Sequence, residues 1–200
     1  NILDFTDAVS LYLSRMVKSE KNFLKRIFIK SELKRINRYE KVAEKFDSLF
    51  VCSEIDKKFL MDKNLNIDIN ILKNGIDTDY FIGSEDHYDP KRIIFTGNMP
   101  YYANSDAAIY FSKEILHYLL NFDKDIKFYI VGQKPTYSVK KLRSNNVIVT
   151  GYVEDIRKEY LKSAVNVAPM RFGAGTLNKV IESIAIGVPV VATSLAIMGL

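Results

Sequence analysis

Apolar residues near the start of the chain recur at helical spacing among lysines and arginines, with Leu24, Ile27 and Phe28 as examples, and the pattern predicts helix from about Ala8 to Phe46. A short strand-like run, Asn1 to Phe5, precedes it. The period then shortens: Ser48 to Ser53 (SLFVCS) reads as a buried strand, Glu54 to Lys63 as a helix that Ser53 can cap, and Asn66 to Leu72 as a second strand. Residues 75 to 91, with Gly75, Gly83 and Pro90, are polar and turn-rich, as suits a linker. Beyond it, strands are expected at Arg92–Thr96, Lys127–Val131, Val147–Thr150, Val165–Ala168 and Val188–Ala192. Helices are expected between them at Ser105–Asn121, Ser138–Arg143, Glu154–Ser163 and Thr176–Ile186. Strands joined by helical crossovers make a parallel, doubly wound α/β sheet, whose ligands sit over the carboxyl ends of the strands. Gly97-Asn98, Gly132-Gln133, Gly151-Tyr152 and Arg171 to Gly175 all fall there.

The segment from Val165 to Thr193 holds strand, glycine turn, helix and strand in sequence. A glycine turn feeding a helix amino terminus can aim backbone N–H groups and the helix dipole at an anion. Arg171 and Lys179 add positive charge nearby, so the expected ligand carries phosphate.

Charge alters the picture in one place. The net charge is +5, yet residues 15 to 45 hold eleven Lys or Arg against four Glu, a local +7. Such a stretch, Arg15 to Lys45, suits an anionic membrane surface or a plain solvated helix face. No stacking-aromatic RNA motif or zinc-finger spacing accompanies it, so nucleic acid is not expected. The single Cys52 cannot form an internal disulfide, which points to a cytoplasmic setting. The amino-terminal residues lack the pattern of a signal peptide. The apolar stretch Ile184 to Leu200 is too short and too interrupted to span a membrane. Because the chain stops inside that stretch, it is expected to be a fragment.

Several chemistries lack support. TGNMPY after the first strand of the regular region has one Gly, not the dinucleotide fingerprint, and Lys179 follows Asn178 rather than a Walker glycine. His87 and His117 have no sequence partners for a metal or a nucleophile. Asp77-Thr78-Asp79 and Asp123-Lys124-Asp125 resemble short metal-binding triplets, but one lies in the linker and the other in a polar turn, and no metal is expected.

Asn74-Gly75-Ile76-Asp77, FTGNMPYYAN, VTGYVEDI and the run from Pro169 to Thr193 together resemble family-four glycosyltransferases of the GT-B fold. Ile2 to Ser10 and RYEKVAEKFDSLFVCSE are similar to bacterial sugar transferases of polysaccharide assembly. The resemblance implies a Rossmann-like acceptor-side domain ending near residue 74, a linker over 75–91, and a donor domain over 92–200. It implies a nucleotide-diphosphate sugar donor such as a UDP- or GDP-sugar, a saccharide or lipid-linked acceptor, retention of configuration, and no metal or cofactor. Glu182 would hold the donor ribose hydroxyls. Gly173, Ala174, Gly175 and Thr176 would meet the sugar and diphosphate, Gly151, Tyr152 and Val153 the base, and Gly97 and Asn98 the diphosphate. Two departures stand out. Ala174 occupies the place of the family's first Glu, and MPYYANSD lacks the usual Arg and Lys, for which Arg171 and Lys179 would substitute. Catalytic residues on the acceptor side would lie mostly upstream of Asn1, and the protein would work in the cytoplasm, peripherally at the inner face of the membrane. Ala174 keeps open a non-catalytic sugar-nucleotide-binding module, and a GT-B sugar-nucleotide epimerase is a further alternative.

Overall fold

The computed structural model describes residues 1–83 and 88–200, so His87 and the middle of the expected linker lie outside the described residues. The chain forms two compact units. The first comprises residues 1–75, 172–177 and 197–200, and the second comprises 76–171 and 178–196. Two short segments thus join the first unit although the linear domain scheme placed them with the second.

In the first unit, β1 (Ile2–Thr6), β2 (Ser48–Val51) and β3 (Asp68–Ile71) form a parallel sheet in that order. The single helix expected between β1 and β2 is instead α1 (Val9–Ser19), α2 (Phe23–Glu40) and a tight turn at Lys41–Lys45. The break has a local cause: Asn22 is extended, and its side chain accepts the Lys25 N–H, capping a new helix. Helix α3 (Glu54–Met61) starts at Ser53, whose Oγ accepts the Asp56 N–H. Ala8, Leu11, Ala43, Leu49, Val51, Leu60 and Ile69 are the core. One carboxylate is buried beside it. Glu40 accepts the Ser10 N–H at 2.9 Å and pairs with Lys63 Nζ at 2.6 Å, which offsets its desolvation.

The second unit holds β4 (Asp89–Thr96), β5 (Lys127–Val131), β6 (Val147–Gly151), β7 (Ser163–Ala168) and β8 (Val190–Ala192), all parallel, in the spatial order β6-β5-β4-β7-β8. Their crossovers are α4 (Tyr102–Tyr110) continuing through a π-wound turn at Phe111–Ile115 into α5 (Leu116–Phe122), then α6 (Tyr137–Lys140), α7 (Ile156–Leu161) and α8 (Asn178–Ala185), and α9 (Ser194–Ile197) follows β8. The helix expected to begin at Ser105 starts three residues earlier, at Tyr102. Its winding loosens at Phe111, where the hydroxyl of the next residue, Ser112, donates to the Ala108 carbonyl. Ile94, Val131, Tyr160, Ile186 and Val188 pack together, with Tyr129, Val153 and Ile156 against them. Chain order runs outward from β4 on one side and from β7 on the other, so the switch point where such sheets bind ligands lies between these two strands. No helix among the described residues is long and apolar enough to cross a membrane.

Candidate functional site

Three loops leave the carboxyl ends of β4, β5 and β6 in register. Gly97 N–H donates to Val131 O at 3.0 Å, and Gly132 N–H donates to Gly151 O at 3.0 Å. Glycine is required where they touch. A Cβ on Gly132, at φ +146°, would stand 1.8 Å from the Gly97 carbonyl oxygen, and one on Gly97 would stand 2.7 Å from Asn104 Cγ. Gly151, at φ +82°, has open space beside it. Tyr152 is exposed, while Val153 is half-buried on the core.

Helix α8 supplies Lys179 and Glu182, and neither is an ordinary surface side chain. Lys179 is only 8% exposed. Its Nζ donates to Asn104 Oδ1 at 2.6 Å and lies 4.1 Å from the centre of the Phe95 ring, while Asn104 Nδ2 donates to Asn98 O at 3.0 Å. Burial brings the lysine pKa down to about 7, opposed by the charge of Glu182. Lys179 therefore braces the Gly97–Asn98 loop through Asn104. Glu182 Oε2 accepts the Tyr160 hydroxyl proton at 2.9 Å. Because that proton is committed, the 2.7 Å contact between Thr96 Oγ1 and Tyr160 Oη has Thr96 as donor. The result is a directed chain from Thr96 through Tyr160 to the carboxylate. Burial pushes the Glu182 carboxyl up, against the Tyr160 hydrogen bond and the charge of Lys179. Burial and then the Glu182 charge push the Tyr160 phenol well above its ordinary value. Asn166 on β7 donates to Lys179 O at 3.0 Å, and its Oδ1 is buried without a partner among the described residues.

Arg171 is not an uncommitted cation. Its guanidinium grips both oxygens of Asp106, with Nε to Oδ2 at 2.8 Å, and lies 5.0 Å from the Tyr110 ring centre. The side-chain hydrogen bond to Asp106 raises its pKa further.

Residues 173–176 belong to the first unit, and several of their polar groups have partners there. Arg15 donates to Gly173 O at 2.6 Å, and Ala174 is buried in the first unit's core. Gly175 N–H donates to Asp56 Oδ2 at 3.0 Å, and Thr176 N–H to Cys52 Sγ at 3.2 Å. The expectation that these amides stand open to an anion is corrected on this point, because Asp56 and the thiol already take them. Asp56 is fully buried and also accepts from Ala8 N–H and the Ser53 hydroxyl, so it needs those donors. Gly175 has φ +69°, and a Cβ there would meet Asp7 Oδ1 at 1.7 Å.

Asp7, Cys52 and Asp56 bring three possible ligand atoms within 4.8 Å of one another. Burial and the Asp7 hydrogen bond push the Cys52 thiol up to about 11, so at neutral pH it is a protonated donor to Asp7, at 3.2 Å. Desolvation also raises the Asp7 carboxyl. The acidic triplets have other partners: Asp123 and Asp125 pair with Lys91 at 3.2 and 2.7 Å, and Asp77 caps the Asp79 and Tyr80 amides. His117 rests against the neighbouring Tyr118 ring, with centroids 3.9 Å apart.

Sequence reasoning missed Thr96, Asn104, Asp106 and Tyr160. The first three lie in or just after the FTGNMPYYANSD run, where polar residues opening a helix after a glycine turn were a usable signal. Tyr160 gave none, because it sits on the apolar face of α7.

The family described as "Glycosyl transferases group 1" matches residues 90–199, more than half of the chain. No curated protein matches the sequence. Among solved structures, a TarM variant from S. aureus, in complex with Fondaparinux, alpha-GlcNAc-glycerol and UDP, is 21% identical over 83% of this chain and 33% of that one, with TM-score 0.66. HepE of Anabaena, in complex with UDP, is 12% identical over 99% of this chain and 54% of that one, with TM-score 0.64. WaaG, a glycosyltransferase involved in lipopolysaccharide biosynthesis, is 18% identical over 98% of this chain and 57% of that one, with TM-score 0.61. The chain therefore spans about a third of TarM and little more than half of HepE and WaaG. At these identities the likeness is one of fold, the parallel α/β architecture of GT-B transferases. With its β4–β8 unit matched along its length by one family, the chain belongs to the group 1 glycosyltransferases.

Proposed function

We propose that the protein containing this chain transfers a sugar from a nucleotide-diphosphate sugar to a saccharide or lipid-linked acceptor, retaining configuration and using no metal. The observation that carries this reading is the Thr96–Tyr160–Glu182 chain at the carboxyl end of β4, which holds one carboxylate oxygen of Glu182 and leaves the other, among the described residues, for a ligand. A carboxylate so held suits the vicinal hydroxyls of a ribose. In this reading Gly97 and Asn98 approach the diphosphate, and Gly151, Tyr152 and Val153 border the base. Lys179 sets the first loop through Asn104 and, when protonated, contributes charge near the leaving diphosphate, where stabilising negative charge is a transferase's main lever. The UDP in the TarM and HepE structures favours a uridine nucleotide, and the role of WaaG in lipopolysaccharide biosynthesis favours a saccharide acceptor.

The test is calorimetry of UDP binding to the full-length protein. Glu182→Ala should weaken it by about 1.5–3 kcal/mol, the worth of hydrogen bonds to a charged group. Unchanged affinity would remove Glu182 from the site. Ala174 favours a second reading, a donor-binding module without transfer, since its methyl is packed in a core where the family carries a carboxylate. Any acceptor product carrying donor sugar would exclude that reading.

A further inference from the structure

Lys179 has the surroundings of a neutral amine rather than of an ammonium. An ammonium carries three N–H donors. Among the described residues Nζ has one acceptor, Asn104 Oδ1 at 2.6 Å, and otherwise lies over the Phe95 ring at 4.1 Å, a weak partner beside a hydrogen bond. The side chain is 8% exposed, and further chain can only deepen that burial. The charged groups of the elements packed round it are engaged elsewhere. Glu182 on α8 accepts the Tyr160 proton, and Asp106 on α4 is gripped by Arg171. On α7, Arg157 and Glu159 pair with Asp155 and Arg92, and Lys158 is exposed. Phe95 and Thr96 on β4 and Asn166 on β7 carry no charge. Burial accordingly brings the amine down to about 7, with the Glu182 charge opposing.

What the ammonium lacks belongs to the neighbouring loop. Asn104, which takes one N–H from Lys179, donates its own Nδ2 to Asn98 O at 3.0 Å, so Nζ stands two hydrogen bonds from the loop assigned to the diphosphate. A unit charge about 8 Å away, at an effective dielectric near 20, shifts a protonation equilibrium more than tenfold. We infer that a nucleoside diphosphate binds with uptake of a proton from solvent by Lys179: the amine is largely neutral in the empty site above pH 7 and becomes an ammonium when anionic oxygens arrive at the Gly97–Asn98 loop. By linkage the reverse holds, and rising pH weakens the ligand as it removes the proton. The inference rests on the donor reading above and adds the charge state of the empty site.

Calorimetry of UDP with the full-length protein at pH 8, in HEPES and in Tris, counts the protons, because the heat of buffer ionisation scales with the number taken up. The terminal phosphate of UDP is already ionised there and contributes none. About 0.4 to 0.8 proton per UDP is expected for a ten- to hundredfold gain in proton affinity. UDP affinity should correspondingly fall about four- to twelvefold from pH 7 to 8.5. K179M should bind UDP more weakly and without uptake. Should that variant bind too weakly to measure, side-chain NMR of Lys179 in the wild type decides, its signal moving to the ammonium position with UDP and not with uridine. Uptake that persists in K179M, UDP affinity flat with pH, or a Lys179 signal that UDP leaves unchanged overturns the inference and leaves the donor reading standing. Absence of UDP binding overturns both.

Discussion

Lys179 should make stability rise with pH where most proteins are flat. Folded, its pKa stands at about 7 against an ordinary 10.5, because a nearly fully buried ammonium has only the Asn104 amide oxygen, the Phe95 ring and the partly engaged Glu182 around it. Above pH 7 the unfolded chain keeps a proton that the folded chain has released, so the free energy of unfolding grows with pH. The usable window closes near pH 9. There the unfolded Cys52 thiol ionises while the folded one, pushed up to about 11, does not, and this opposing slope offsets the Lys179 gain as pH climbs. One proton at about 1.4 kcal/mol per pH unit, counted from half-titration at pH 7, gives a gain of about 2 kcal/mol between pH 7 and 9. Lys179→Met should abolish that slope and, by leaving Asn104 Oδ1 unpaired, cost about 1–3 kcal/mol at pH 9. Urea unfolding at pH 7, 8 and 9 measures both, and side-chain NMR of Lys179 reads the titration directly. Parallel pH dependence in wild type and variant, or a midpoint near the ordinary lysine value, would refute the reasoning.

Gly132→Ala should lower stability by at least about 3 kcal/mol, because its methyl would stand 1.8 Å from the Gly97 carbonyl at a φ hostile to alanine; an unchanged thermal midpoint would contradict the loop contact. Lys63→Met strands the buried Glu40 carboxylate and should cost about 3–5 kcal/mol in urea unfolding, part of which Glu40→Gln should return. Tyr160→Phe removes the donor that holds the Glu182 carboxyl down, so the acid limb of UDP affinity should move to higher pH; an identical profile would separate Tyr160 from the site.

The sequence by itself determined the alternation of strands and helices from β4 to β8. Period-two and period-3.6 patterns separated by glycine turns are written locally, and parallel crossovers follow from their order. It also placed Gly97, Gly151 and Glu182 at strand ends or on the following helix, because chain order alone puts them there. The nearby breaks were less legible: the cap at Asn22 interrupts a basic periodicity that otherwise runs unbroken, and the Ser112 hydroxyl sits where the winding of the α4–α5 helix changes. Charge counting suggested Arg171 and Lys179 as open cations, yet a count cannot know that Asp106 lies against the first or Asn104 against the second. Only tertiary packing decided that Lys179 is buried and near neutrality, that Tyr160 fixes Glu182, and that the amides of Gly175 and Thr176 are taken by Asp56 and Cys52. Those partners lie 22 to 124 positions away along the chain, and desolvation, which sets the pKa of each group, is a property of the assembled surroundings rather than of neighbours in sequence.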